Sequence, residues 1–290
     1  MTAARADDAP LCLPPRPLQR LPRQSLPTGT IDCHFHVFAP DVPLTTPRSY
    51  TPQIVGLADW LHYADAVGIA RGVAIQPSVY GFDNTALLSA LAAEPDRLRG
   101  IAVVAPEVTA AELERLHAAG VRGIRINTRN KGGLAFDTVH DFMRNVAPFG
   151  WSVQFQVAPE QLADIGELAA DSPAALVIDH LGFIALAGPE SGKQLSDLQR
   201  ALDRKRCHVK ISAPYRLSGV AAAFANAVAT LTRSHPEKLL WGSDWPHTEL
   251  WSDVPDDAEM IERALGWFAN TAARNAAFVT NAARLFWIEG

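Results

Sequence analysis

Eight short β-rich runs alternate with helix-patterned stretches from Gly29 onward, and no other feature limits the fold as severely. The runs are Thr30 to Val37, Arg71 to Gln76, Leu98 to Val104, Val121 to Asn127, Trp151 to Val157, Ala175 to Gly182, Cys207 to Ala213 and Leu239 to Asp244. Each gap between them has room for a helix and a short loop. Eight alternating β and α units, with no insertion large enough for a second core, predict a single (β/α)8 TIM barrel of the α/β class over residues 29–290. A doubly wound sheet would carry a glycine-rich phosphate loop after its first strand, and Phe38-Ala39-Pro40-Asp41-Val42-Pro43 stands there instead. Residues 1–28 hold six prolines and follow neither a helix nor a strand period, which predicts an extended N-terminal arm. Local signals mark helix ends: Thr109 and Glu112 read as a capping box, Pro52 and Pro159 as first helical positions, and Gly68, Gly120 and Gly150 as helix stops.

Composition narrows the function classes. A net charge of −5 gives no global attraction to phosphate backbones or anionic lipid, so neither a nucleic-acid nor a membrane partner is expected. Cys12, Cys33 and Cys207 form no CxxC pair and leave an odd count, which argues against a disulfide framework. No apolar stretch reaches the roughly 18 residues of a membrane span, and no basic-then-apolar leader is visible. A cytoplasmic location is the resulting expectation. Of the 26 basic residues 21 are arginine; a GC-rich coding habit accounts for the total, so arginines are weighed by position.

Barrel enzymes build their sites at the C-terminal ends of the strands. Strand 1 ends in His34-Phe35-His36, where alternation aims both imidazoles into the barrel and turns Cys33 and Phe35 toward the helices. Strand 6 ends in Asp179-His180-Leu181-Gly182 and strand 8 in Gly242-Ser243-Asp244-Trp245-Pro246-His247. One histidine near an apolar run is ordinarily a core residue, whereas three histidines and an aspartate at three strand ends define a candidate catalytic centre. Arg125 points inward by alternation with Ile124 and Ile126, and a lumen arginine needs a buried anion. His62, His117, His140, His208 and His235 read as solvated, and His247 as a loop residue within reach of substrate. No GxSxG elbow is present, so a covalent serine nucleophile is not expected.

The HFH, DHLG and GSDWPH motifs, with a terminal NAARLF helix, resemble the amidohydrolase superfamily, specifically its amidohydrolase-2 group and the 2-pyrone-4,6-dicarboxylate lactonase family within it. The resemblance runs from about Gly29 to the C-terminus and implies hydrolysis of a carboxylated lactone: a dicarboxylated pyrone, a muconolactone or a sugar-acid lactone. It carries carboxylate binding onto Arg125, Arg129 and Arg216, and hydrogen-bonding roles onto Tyr50 and Ser78. At Gln156 the chain departs from the aromatic hydroxyl that the resemblance leads one to expect. Metal-dependent relatives add a histidine from strand 5, or a carboxylated lysine or glutamate from strand 4; here those strands offer Gln154, Gln156, Arg125 and Asn127. The expectation is therefore a metal-free site, with a single Zn or Mn ion on His34, His36 and Asp244 as the alternative. Asp244 is the expected general base, with His180, His34 and His36 polarising the carbonyl and positioning water. The expected partner is a small anionic carboxylated molecule. Two rivals stand beside this reading: a metal-dependent decarboxylase or hydratase on the same barrel, and a catalytically silent carboxylate-binding barrel.

Overall fold

In a computed structural model, residues 9–131, 134, 136–217 and 221–287 are described. All eight runs are strands: β1 Ile31–Phe35, β2 Arg71–Ile75, β3 Leu98–Ala102, β4 Val121–Asn127, β5 Ser152–Gln156, β6 Ala175–Ile178, β7 Cys207–Ile211 and β8 Leu239–Trp241. They pair in parallel in chain order, and a bridge between Phe35 and Trp245 closes the ring. Helices α1 Leu57–Val67, α2 Thr85–Ala93, α3 Ala110–Ala118, α4 Val139–Val146, α5 Leu162–Leu168, α6 Ser191–Leu202, α7 Ala221–Ser234 and α8 Asp257–Gly266 follow the strands. Two short helices, α9 Thr271–Asn275 and α10 Asn281–Phe286, end the described chain. This is a (β/α)8 barrel.

Alternation along the strands makes two apolar layers. Outward residues such as Val153, Phe155, Leu176 and Ile178 pack under the helices. Inward residues Ile31, Val73, Ile101, Val177 and Leu240 fill one end of the lumen, and Phe286 of α10 packs against that plug. Strand β1 breaks the simple alternation. Its pairing with β2 shifts register between Asp32 and Phe35, so Cys33 joins the lumen plug, while Phe35 stacks outward on Trp60 at 3.9 Å. Cys33 thus faces inward, contrary to the alternation expectation, because a bulge resets the phase between it and His34.

Several local expectations hold and others change. Gly68, Gly120 and Gly150 all adopt positive φ before the next strand. Thr109 Oγ1 accepts from the Glu112 amide at 3.2 Å, but the Glu112 carboxylate pairs with Arg115 instead of closing the box. Pro159 does begin a helical turn. Pro52 does not: α1 starts five residues later, where Gly56 N donates to the Asp59 carboxylate at 2.8 Å. Residues 9–28 lie along the barrel, since Cys12 N donates to Thr51 O (2.8 Å) and Leu13 N to Leu250 O (2.9 Å). Arg20 fastens the same segment to Glu262 of α8. No described helix is long and apolar enough to cross a membrane.

Candidate active site

The strand ends bend so that polar side chains face the lumen mouth. β6 ends at Ile178, and His180 follows with φ +50° in a short 3-10 turn that runs to Phe183. Asp244 after β8 also has positive φ, +65°, with its amide donating to His34 O at 2.8 Å. Non-glycine residues take this conformation at a cost of order 1–3 kcal/mol, which the surrounding contacts must offset. At the seam, buried Asp32 accepts from Ser243 N (2.8 Å), Ser243 Oγ (2.6 Å) and His34 N (3.1 Å), locking β1 to the end of β8. Burial raises the Asp32 pKa to about 6, and these donors oppose the rise.

The histidines and Asp244 converge. Asp244 Oδ1 lies 3.6 Å from His34 Nε2 and 3.6 Å from His180 Nε2. Its other oxygen, Oδ2, accepts from Tyr215 OH at 2.6 Å and Arg216 Nε at 2.7 Å. Burial favours the neutral acid, yet the Arg216 guanidinium against its Oδ2 holds Asp244 well below the usual carboxylate range. Burial lowers all three histidines: His36 to about 3, His180 to about 4 and His34 well below the free imidazole. They are therefore neutral near pH 7. His36 Nδ1 donates to Ile75 O at 2.8 Å, since a carbonyl only accepts, which leaves Nε2 as an acceptor.

Beneath this centre sits an ion-pair layer that the sequence reading missed. Lys210 of β7 is fully buried, with its Nζ 2.9 Å from Asp179 Oδ1, 2.6 Å from Gln154 Oε1 and 3.1 Å from His34 Nδ1. An ammonium donor at Nδ1 puts the single proton of neutral His34 on Nε2, facing Asp244. Burial pulls the Lys210 pKa down and Asp179 works against that fall. Arg125 shares Asp179, its Nε 3.5 Å from Oδ2, and also donates to Gln156 Oε1. A lysine flanked by Val209 and Ile211 inside the strand run Cys207-His208-Val209-Lys210-Ile211 was the available signal.

A narrow cavity opens above, and His36, Tyr50, Ser78, Arg125, Gln156, His180, Arg216 and Asp244 line it, together with Asn127, Asn130, Thr248 and Glu249. Nine of the ten expected residues are thus at the cavity or directly beneath it, His34 being the one beneath. Arg129 is the exception: its guanidinium lies 3.9 Å over the Phe183 ring, outside the lining. His247 is also displaced from the expected position. It sits behind Asp244, bonded to Tyr215 OH (2.8 Å) and Asp257 (3.0 Å). His235 is buried and bonded to Asp203 at 2.9 Å, His117 accepts from Trp151 Nε1, and burial lowers the His208 pKa to about 4, so none of the three is the solvated residue expected.

The metal alternative changes composition. Among the described residues, the candidate ligand atoms that lie within 4.8 Å of one another belong to His34, His180 and Asp244. His36 is not in that set, and its Nδ1 is committed to the Ile75 carbonyl.

The eight-stranded parallel barrel thus gathers histidines and an aspartate at or just beyond the ends of β1, β6 and β8, the arrangement that the sequence resemblance led one to expect. The amidohydrolase family model matches residues 31–288, and the chain belongs to that family, in its amidohydrolase-2 group. It is 30% identical to a 2-pyrone-4,6-dicarboxylate hydrolase of Comamonas testosteroni over 92% of this chain and 93% of that one. It is also 30% identical to a 4-sulfomuconolactone hydrolase of Rhizobium radiobacter, over 98% and 99% of the two chains. A solved Pseudomonas putida structure, assigned as a 2-pyrone-4,6-dicarboxylic acid hydrolase, superposes with a TM-score of 0.80 at 30% identity. That match covers 91% of this chain and 100% of that one.

Proposed function

We propose that the protein is a lactone hydrolase that opens a carboxylated ring by Asp244-activated attack of water, without a metal ion. The geometry of Asp244 carries the reading. One carboxylate oxygen is clamped by Tyr215 and Arg216, and the other accepts no hydrogen bond from a described residue while facing two imidazole Nε2 atoms. A buried carboxylate held ionised in this way is poised to take a proton from water. The water attacks the lactone carbonyl as its proton passes to Asp244 Oδ1, and His180 Nε2–H, with Nδ1 bonded to Ser212 Oγ at 2.7 Å, faces the developing oxyanion. Collapse breaks the ring C–O bond, and the departing oxygen takes back the proton that Asp244 holds. Names of the relatives support a lactone substrate.

Arg125 and Arg216 are the proposed carboxylate-binding groups, with Tyr50, Ser78 and Gln156 as hydrogen-bonding partners and Arg129 at the mouth. His36, whose Nε2 accepts, positions water or a substrate hydroxyl.

The convergence of His34, His180 and Asp244 favours one competing reading, in which Nε2, Nε2 and Oδ1 hold a divalent ion. Such an ion supplies Lewis-acid polarisation and a more acidic bound water. Against it stand Lys210, with its ammonium 3.1 Å from His34, and Arg125 nearby, two fixed cations in the same lumen. Ring-opening assays on dicarboxylated pyrones, muconolactones and sugar-acid lactones, run with metal quantified and after chelation, test both readings. Full activity in chelated protein supports the metal-free mechanism. Activity that vanishes on chelation and returns with one equivalent of Zn or Mn contradicts it.

A further inference from the structure

Glu249 brings a carboxylate into the cavity that anion-binding chemistry does not call for. It lines the pocket with its side chain 23% exposed. Its Oε1 accepts from Asn130 Nδ2, and its Oε2 lies 3.5 Å from Arg216 NH1. One guanidinium therefore reaches Asp244 through Nε and Glu249 through NH1. Glu249 has φ +59°, a conformation uncommon for residues other than glycine. The N-terminal segment holds it from outside: Glu249 N donates to Cys12 Sγ at 3.2 Å, and Leu250 O accepts from Leu13 N at 2.9 Å.

Charge arithmetic gives the placement a consequence. Three cations line the cavity or lie beneath it, Lys210, Arg125 and Arg216, and a fourth, Arg129, stands outside the lining over Phe183, close enough to interact with Glu249 and Arg216. Asp179 neutralises one and Asp244 a second. Without Glu249, two positive charges would be left over, the complement of a dianion. With Glu249, one is left. A second substrate carboxylate would also meet a fixed like charge in a narrow cavity lined largely by buried side chains, a costly juxtaposition.

We propose that Glu249 restricts this enzyme to lactones that carry a single anionic group. The inference rests on the lactone hydrolase reading and narrows its substrate class. Asn130, which donates to Glu249, accepts in turn from Gln156 and Asn127, so a chain of amide groups suited to neutral polar substituents lies beside that carboxylate.

The test pairs two rings that differ by one carboxylate, 2-pyrone-6-carboxylate and 2-pyrone-4,6-dicarboxylate. Wild type should favour the monocarboxylate in kcat/KM by about tenfold or more, through KM. Glu249→Gln keeps the shape and the Asn130 contact while removing the charge, and should shift that ratio toward the dicarboxylate by about tenfold. Glu249→Asp should keep the wild-type preference. Calorimetric binding of furan-2-carboxylate and furan-2,5-dicarboxylate should shift in the same way, independently of turnover. A wild type that prefers the dicarboxylate, or a Gln variant whose ratios stay within about twofold of wild type, overturns the inference and leaves the hydrolase reading intact. If wild type opens neither pyrone, the hydrolase reading loses support, and the binding ratio still decides the charge claim.

Discussion

Lys210 and Asp179 form a fully buried ion pair, and removing one partner strands the other in a low-dielectric lumen. Lys210→Met should therefore destabilise the protein by about 3–5 kcal/mol. Urea unfolding measures the loss, and adding Asp179→Asn should recover most of it. A single variant within about 1 kcal/mol of wild type would show that Arg125 and His34 suffice for Asp179. At this scale the sequence exposed His34, His36, His180 and Asp244, because they cluster at strand ends where barrel chemistry is expected. It hid the partners that set their protonation. Lys210 meets His34, Gln154 and Asp179 from three other strands, and no local pattern encodes a contact made around a closed ring. Tyr215 was hidden for a related reason: its hydroxyl reaches Asp244 from the loop after β7.

Strand β1 and the end of β8 meet with almost no room to spare. A Cβ on Gly242 would lie 2.8 Å from His34 Cβ and 3.0 Å from His34 N, and backbone cannot swing aside. Gly242→Ala should cost about 1–3 kcal/mol and lower turnover by displacing His34. Gly192 in α6 has nothing within 4 Å of such a Cβ, so Gly192→Ala should be neutral or stabilising by up to about 1 kcal/mol. Comparing their urea midpoints checks the seam, and equal effects would contradict it. The existence and order of all eight strands were legible, because period-two runs and glycine stops recur along the chain. Strand ends were not, since His180 and Asp244 leave the ladder through positive φ angles that tertiary contacts impose. The bulge that turns Cys33 inward is likewise a product of strand pairing, as is the helix start at Leu57 in place of Pro52.

For the whole molecule, burial of neutral histidines ties stability to pH. His36 is lowered to about 3, and His180 and His208 to about 4, from 6.5 in the free residue. Below pH 6.5 the unfolded chain binds protons that the folded chain refuses, so these groups weaken the fold progressively as pH falls toward their folded values. Asp32, raised to about 6 from 3.8, works in the opposite direction over that interval, stabilising the fold as pH falls. With more histidines than raised carboxylates, the urea midpoint should be lower at about pH 5 than at about pH 7. A midpoint that rises on acidification would contradict the buried, neutral histidine centre. The net charge of −5 concealed the local balance, because cations and carboxylates are gathered in the barrel lumen while the chain as a whole is acidic. The central claim is that Asp244 supplies the base, and one comparison tests it directly: steady-state ring opening by wild type and Asp244→Asn on the same carboxylated lactone. The variant should lose about 10²–10⁴ in kcat while still binding the ring-opened product, because shape is kept and only the base is lost. Turnover by Asp244→Asn at near the wild-type rate would contradict the mechanism.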